Sequence, residues 1–266
     1  MWLKDLNKHE NKIYSQGGQD GVIEYILSNI KIKNKFCVEF GYSQTGYIDP
    51  GTSGPNCSNL ILHKGWDHIF LDGGNENHEI NLYKHFLTTE NIIDVFKQYN
   101  VPKDLGFLSV DVDTIDLWLT DKLLEEYRPS LLSMEFNPNI PIDYAITLPN
   151  SEEAIWKGKR MGCSLKCADI MTKKHNYSLV YAGKFSRDGH HDAFFIDNNL
   201  IKDVKYIPTL EDFRDTHESL HEAIRIGKNK ICLDYEHYLK TGNITESQQV
   251  AYPISFYYMC FNWENL

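Results

Sequence analysis

The stretch SLVYAGKFSRDGHHDAFFID, Ser178–Asp197, decides how the chain folds. Two apolar runs rich in aromatic and branched residues, Ser178–Ala182 and Asp192–Asp197, flank a turn signal at Gly189 with no helical segment between them. Strands joined without a crossover helix pair antiparallel. The segment therefore predicts an antiparallel hairpin closing the end of a sheet.

Toward the N-terminus the rhythm changes. Four short apolar runs, Phe36–Phe40 (FCVEF), His68–Leu71 (HIFL), Phe107–Val110 (FLSV) and Leu131–Phe136 (LLSMEF), are separated by segments of helical spacing. Val22, Ile23, Ile26, Leu27 and Ile30 follow that spacing well, and Leu117, Leu119, Leu123 and Leu124 follow it less regularly. This alternation predicts βαβ units and a parallel sheet. With a helix over Ser164–Lys174, the fold expected of residues 1–200 is α/β: a Rossmann-like sheet, mostly parallel with a terminal antiparallel hairpin, flanked by helices. Beyond Leu200, Thr209–Ile226 reads as a helix and Tyr252–Trp263 is apolar and aromatic, but neither continues the rhythm. Residues 201–266 are expected to form a C-terminal extension packed on the main domain.

Composition narrows the function classes. With 13% aromatic residues, the chain is too rich in rings for disorder. A net charge of −10, with no basic cluster longer than Lys31–Lys35, offers a phosphate backbone little to hold, so nucleic acid is not an expected partner. The opening MWLKDLNKHENK lacks a signal-peptide apolar run, and no segment is long enough to insert in a membrane. Cys37, Cys57, Cys163, Cys167, Cys232 and Cys260 are scattered without a CxxC pair, as in a reducing compartment, and a cytoplasmic location is expected. Cys163 and Cys167, four apart on a predicted helix, could share a face and hold a metal. The plainer reading is two small apolar helix residues. Homo-oligomerisation stays open.

Chemistry is expected just outside the carboxyl ends of the strands, where open α/β sheets bind ligands. The first run ends Glu39-Phe40-Gly41 and passes into the Gly/Pro/Ser-rich loop Tyr42–Ser58, ahead of a helix starting near Asn56–Asn59. Gly41 allows close backbone approach. An acid two residues before it, in place of GxGxxG, suits a cationic ligand better than a pyrophosphate. The second run ends LDGGNEN, where Asp72 can accept the ribose hydroxyls of an adenosine or simply serve as a turn residue. The third and fourth end SVDVD and SMEFN. Asp111, Asp113, Glu135 and Asn137 thus lie on neighbouring strands, roughly 4.8 Å apart, as hard oxygen donors of the kind that suit Mg²⁺ or Mn²⁺. Such an ion would lower the pKa of a bound hydroxyl. Alternatively, Asp113 caps a helix predicted over Thr114–Tyr127. His191, in the turn before the last strand, could take a proton or ligate a metal, or lie exposed. Asp111, Asp113 and His191 are the candidate catalytic groups.

Taken in order, Tyr14–Gly21 (YSQGGQDG), FCVEFG, CSNLILHKGW, LDGGNEN, ENI, FLSVDVD and MEFN resemble the FkbM-type SAM-dependent methyltransferases and their sugar O-methyltransferase relatives. The resemblance runs from about Tyr14 to Ile196. It implies the class I methyltransferase version of the sheet, which a terminal antiparallel hairpin separates from the all-parallel NAD-binding one. It further implies an S-adenosyl-L-methionine (SAM) cofactor in contact with Glu39, Gly41 and Asp72. Gln16 and Asp20, within Ser15–Asp20, and Asn59 would help form its pocket, with Asn91 and Ile92 near the adenine. A divalent ion at Asp111, Glu135 and Asn137 and a small-molecule or glycan substrate methylated on a sugar hydroxyl complete the picture. The chain departs from the family at Thr114, where glycine is usual, at the long loop Gly41–Asn56, and at Asp192, where asparagine is common. An NAD-type oxidoreductase or epimerase and a catalytically silent module of the same fold are the alternatives, the absent GxGxxG counting against the first.

Overall fold

The computed structural model describes residues 2–42, 44, 46, 49–138, 140–150, 162–183, 191–214, 233–244 and 247. Its main sheet is built from β1 (Phe36–Phe40), β2 (Asp67–Asp72), β3 (Leu82–Lys84), β4 (Phe107–Val110), β5 (Leu131–Glu135), β7 (Tyr177–Ala182) and β8 (Asp192–Asp197). The strand order is β3-β2-β1-β4-β5-β8-β7. Every neighbouring pair from β3 to β5 is parallel, whereas β8 runs antiparallel to both β5 and β7. This is the Rossmann-like sheet with the edge hairpin expected from Ser178–Asp197. The strand β3 is an addition: three residues on a single partner carry no readable alternation.

Side-chain alternation splits the strands between two apolar layers. Val38, Phe40, Leu108, Val110, Leu132 and Met134 face one way, toward α3 (Ile92–Gln98), α4 (Asp116–Leu123) and α5 (Leu165–Lys174). Cys37, Phe70, Phe107 and Leu131 face the other, toward α1 (Gln19–Asn29) and α2 (Ser58–Lys64). All ten are almost fully buried, and each such side chain contributes roughly 1.5–3 kcal/mol. That sum fixes the register, because a slip of one residue would turn Glu39 into the opposite layer.

Two helix starts differ from expectation. α4 begins at Asp116 rather than Thr114, because the turn opened by Asp113 (φ 62°) runs on through Ile115, whose φ −102° and ψ 23° are not helical. Cys163 precedes Ser164, the N-cap of α5, whose hydroxyl accepts from Cys167 N. It therefore sits off the helix, bridged to Thr147, and shares no helical face with Cys167. Burial pushes both thiols well above their usual pKa, which keeps them protonated and poor metal ligands.

The described part of 201–266 packs on the main body. The short strand β9 (Leu233–Asp234) pairs with β6 (Ile146–Thr147), and Leu233 and Tyr235, the latter opening α6 (Tyr235–Thr241), join the layer beneath α4 and α5. Of the helix expected over Thr209–Ile226, the described residues form a 3-10 turn, Leu210–Phe213, closed by the Thr209 and Asp212 side chains. Residues 215–226 and the aromatic Tyr252–Trp263 lie outside the described residues. Among the described residues no helix is long and apolar enough to cross a membrane.

At the carboxyl edge, Gly41 leaves β1 with φ 74°, and a Cβ there would fall 1.9 Å from the carbonyl oxygen of Asp111. No side-chain rotation relieves a clash between two backbones. Gly41→Ala is expected to cost about 2 kcal/mol or more and to lower the urea midpoint. An unchanged midpoint would show that the ends of β1 and β4 are not held this close.

Candidate functional site

Two buried acids set the wall of the site. One oxygen of Asp20, Oδ2, accepts from the N–H groups of Ile13 (2.9 Å), Tyr14 (2.8 Å) and Ser15 (2.8 Å) and from the Ser15 hydroxyl (2.6 Å). This ties residues 13–15 to the head of α1. In turn, Gly51 N donates to Ile13 O and Gly54 N to Tyr14 O, both at 2.7 Å. The following loop residues are caught by Glu39, whose two oxygens accept from Asn56 N and Cys57 N, each at 2.8 Å. Alternation on β1 explains this, since it points Glu39 to the face covered by α2.

Between that loop and the strand ends lies a cleft of about 80 Å³, lined by Gln16, Gln19, Glu39, Gly41, Asn56, Asp111, Glu135, His191 and Asp192 among others. Small-molecule sites commonly offer at least about 300 Å³, so the enclosed part alone is smaller than such a site. The cleft is cross-linked by amides: Gln19 Nε2 donates to Asp192 Oδ2 (2.8 Å), while Asn56 Nδ2 reaches Asp192 Oδ2 and Ser109 Oγ, both at 3.2 Å. Glu135 faces Asp192 across the β5–β8 pair. Four carboxylates thus line the cleft, and among the described residues no lysine or arginine does. Its field favours a cation. Burial raises the pKa of Glu39 to about 7 against the pull of the Cys57 and Asn56 N–H groups, and the nearby Asp192 raises it further.

Beside the cleft, carboxylate oxygens of Asp111, Asp113 and Glu135 lie within 4.8 Å of one another. Three hard donors at this spacing fit Mg²⁺ or Mn²⁺. Asp113 reaches the group through its left-handed turn, not through strand alternation, because β4 ends at Val110. Nor does it cap α4, whose N-cap position, Ile115, makes no side-chain bond. The turn is held by Asp116, where Oδ1 accepts from Val112 N at 2.7 Å. Asp116 is fully buried and its Oδ2 has no hydrogen-bond partner. Burial lifts its pKa to about 7, opposed by the Val112 N–H and reinforced by Asp113. Sequence reading missed this residue, since an acid in the first turn of a helix looks like an ordinary helix-dipole partner.

The remaining expected residues divide. Gln16, Glu39, Gly41, Asp111, Glu135 and His191 come together at the cleft. Asp20 supports it through the loop. Asn59, on α2, reaches toward Glu24 of α1 (3.5 Å), and Asn137 is buried with its N–H on Cys163 O (2.7 Å); neither lines the cleft. Asp72 Oδ1 accepts from Gly74 N and Asn75 N (2.7 Å each) and Asn75 Nδ2 (3.0 Å), a turn in which Oδ2 takes no part. Asn91 closes a turn ahead of α3, accepting from Thr88 N and donating to Phe86 O, both 2.8 Å, and the Ile92 side chain is fully buried.

Asp116 offers a sign-definite test. A carboxyl whose folded pKa lies above its unfolded value stabilises least where it must ionise inside the protein, so its contribution falls as pH rises from about 4 through about 7. Asp116→Asn keeps an acceptor for Val112 N and removes the titration. Its stability relative to wild type, measured by urea unfolding in EDTA, is expected to rise by about 2 kcal/mol between pH 5 and pH 8. A difference independent of pH would contradict a buried, raised carboxyl.

Among known proteins, no family model matches this chain and no curated protein matches it.

Proposed function

We propose that the protein is a SAM-dependent O-methyltransferase that transfers a methyl group to a hydroxyl of a sugar or glycan. The observation that carries this reading is the acid-rich lining of the cleft: Glu39, Asp111, Glu135 and Asp192 stand together at the carboxyl ends of the central strands. A cofactor bearing a sulfonium and an ammonium group is stabilised there. A dinucleotide is not, because its pyrophosphate uses the free N–H groups ahead of the helix that follows the first strand. Here Glu39 already occupies the N–H groups of Asn56 and Cys57 ahead of α2. The antiparallel β8 also supports the reading, since dinucleotide-binding sheets are all parallel.

When bound, SAM supplies an electrophilic methyl group and a divalent ion acidifies the acceptor hydroxyl. The chain's own residues do the rest. Asp72 would accept the ribose hydroxyls through Oδ2, and Gly41 lets the ends of β1 and β4 close together at the cleft. Asp111, Asp113 and Glu135 would hold the ion, with Asp116 fixing the turn that presents Asp113. The imidazole of His191, or Asp111 itself, takes the hydroxyl proton. Holding donor and acceptor in one cleft supplies the proximity that a bimolecular reaction in water lacks.

Calorimetry with SAM and S-adenosylhomocysteine, with NAD as comparator, is expected to give micromolar binding for the first two alone. Asp72→Ala should weaken that binding. Asp111→Ala should abolish turnover on a panel of sugar acceptors in the presence of Mn²⁺ while leaving SAM affinity in place. Full turnover in Asp111→Ala, or in EDTA, would remove the metal from the reading, and absence of SAM binding would remove the reading itself.

A further inference from the structure

Beyond the acidic cleft, the same sheet edge continues to β2 and β3. Asp72 pairs with Lys84 in the parallel register, and His85 N donates to Asp72 O at 2.8 Å. One residue further on, Phe86 is 56% exposed, more than any other large apolar side chain among the described residues. The others, Leu62, Leu239 and Ile244, are not rings. The edge of the Phe86 ring passes 3.9 Å from the position a Cβ on Gly73 would take. The ring therefore lies next to the residue that follows Asp72, with no side chain on Gly73 to fill the space.

The ring is also held from below. Phe86 O accepts from Asn91 Nδ2, and Asn91 Oδ1 accepts from Thr88 N, both at 2.8 Å, which closes residues 86–91 into one rigid turn. Ile92 offers no alternative surface, because its side chain is buried in the core. A half-solvated phenylalanine forgoes much of the stabilisation that burial gives a ring of this size. The turn maintains that exposure beside a carboxylate oxygen, Asp72 Oδ2, that takes no part in the local hydrogen bonds.

We infer that Phe86 is the platform on which the adenine ring of the cofactor stacks, with Gly73 the gap that admits it. The inference rests on the SAM reading above. An adenosine presents a flat π face and, one sugar away, a vicinal diol; Phe86 and Asp72 present the two complements at adjoining positions. Stacking of a base on an aromatic side chain is tolerant of ring identity, so tryptophan can replace phenylalanine while a methyl group cannot.

The test is calorimetry of SAM and S-adenosylhomocysteine on the full chain and three variants. Phe86→Ala is expected to weaken both ligands about 5- to 150-fold with thermal stability unchanged, since the side chain is exposed. Phe86→Trp is expected to restore binding. Gly73→Leu, whose Cβ meets only an ordinary contact and whose φ is not left-handed, is expected to fold and to lose affinity by filling the gap. Wild-type affinity in Phe86→Ala would overturn the platform and leave the SAM reading standing. Loss in Phe86→Trp equal to that in Phe86→Ala would also overturn stacking. A wild-type protein that binds neither ligand would overturn the reading and the platform together.

Discussion

The carboxylate of Glu39 sits inside the protein and gives one oxygen to each of two successive backbone N–H groups, those of Asn56 and Cys57. An ionised carboxylate removed from water is costly unless it is hydrogen-bonded, and two charge-assisted bonds recover part of that cost. A pKa raised to about 7 shows that burial outweighs the two bonds. The bond pair joins the end of β1 to the start of α2 and so closes the loop that walls the cleft. It also occupies the anion seat ahead of that helix and places a negative group at the bottom of the site. Loop, selectivity and charge follow from one side chain.

The same device recurs around the site. Asp20 gathers three N–H groups and a hydroxyl onto one oxygen, and Asp116 holds the turn after β4 through Val112 N. Ion pairs do little of this positioning. Those between Lys97 or Lys103 and Glu126, or between Arg214 and Asp143, lie on the surface, where a pair contributes about 1 kcal/mol or less. Among the described residues, Glu39, Asp20 and Asp116 accept from backbone N–H groups and a hydroxyl, so these acids are positioned by neutral donors.

The parts of the fold that were legible in the sequence are those governed by periodicity. β1, β4 and β5 read as short apolar runs because both sheet faces are covered, and the Ser178–Asp197 hairpin is readable because its strands lack an intervening helix. What was not legible depends on backbone conformation or on contacts distant in sequence. The left-handed turn at Asp113, not a place on a strand, brings Asp113 to Asp111 and Glu135, and the non-helical Ile115 after it sets the helix start two residues later than expected. β3 is too short for a pattern, so the turn that displays Phe86 could not be placed. Asp192 stood out only as a departure from a family habit, whereas its partners Gln19 and Asn56 lie 173 and 136 residues away along the chain.

The acid-rich edge carries a consequence for its occupant. Burial raises Glu39 and Asp116, and Asp192 and Asp113 respectively add to the shift, so a further charge in the region makes these acids harder to ionise. A protein could lower this repulsion by exchanging one of these acids for a neutral residue, at no loss to the apolar layers beneath. Keeping the acids is a local conflict of the kind found where function overrides stability. In the reading proposed above, positive charge brought by the ligands would ease that conflict. A divalent ion at the Asp111–Asp113–Glu135 group and a sulfonium in the neighbouring cleft would relieve different parts of it. On that reading the two sites would be coupled through the turn that Asp116 holds, because charge bound at either one would change the cost of ionising the acids that face the other.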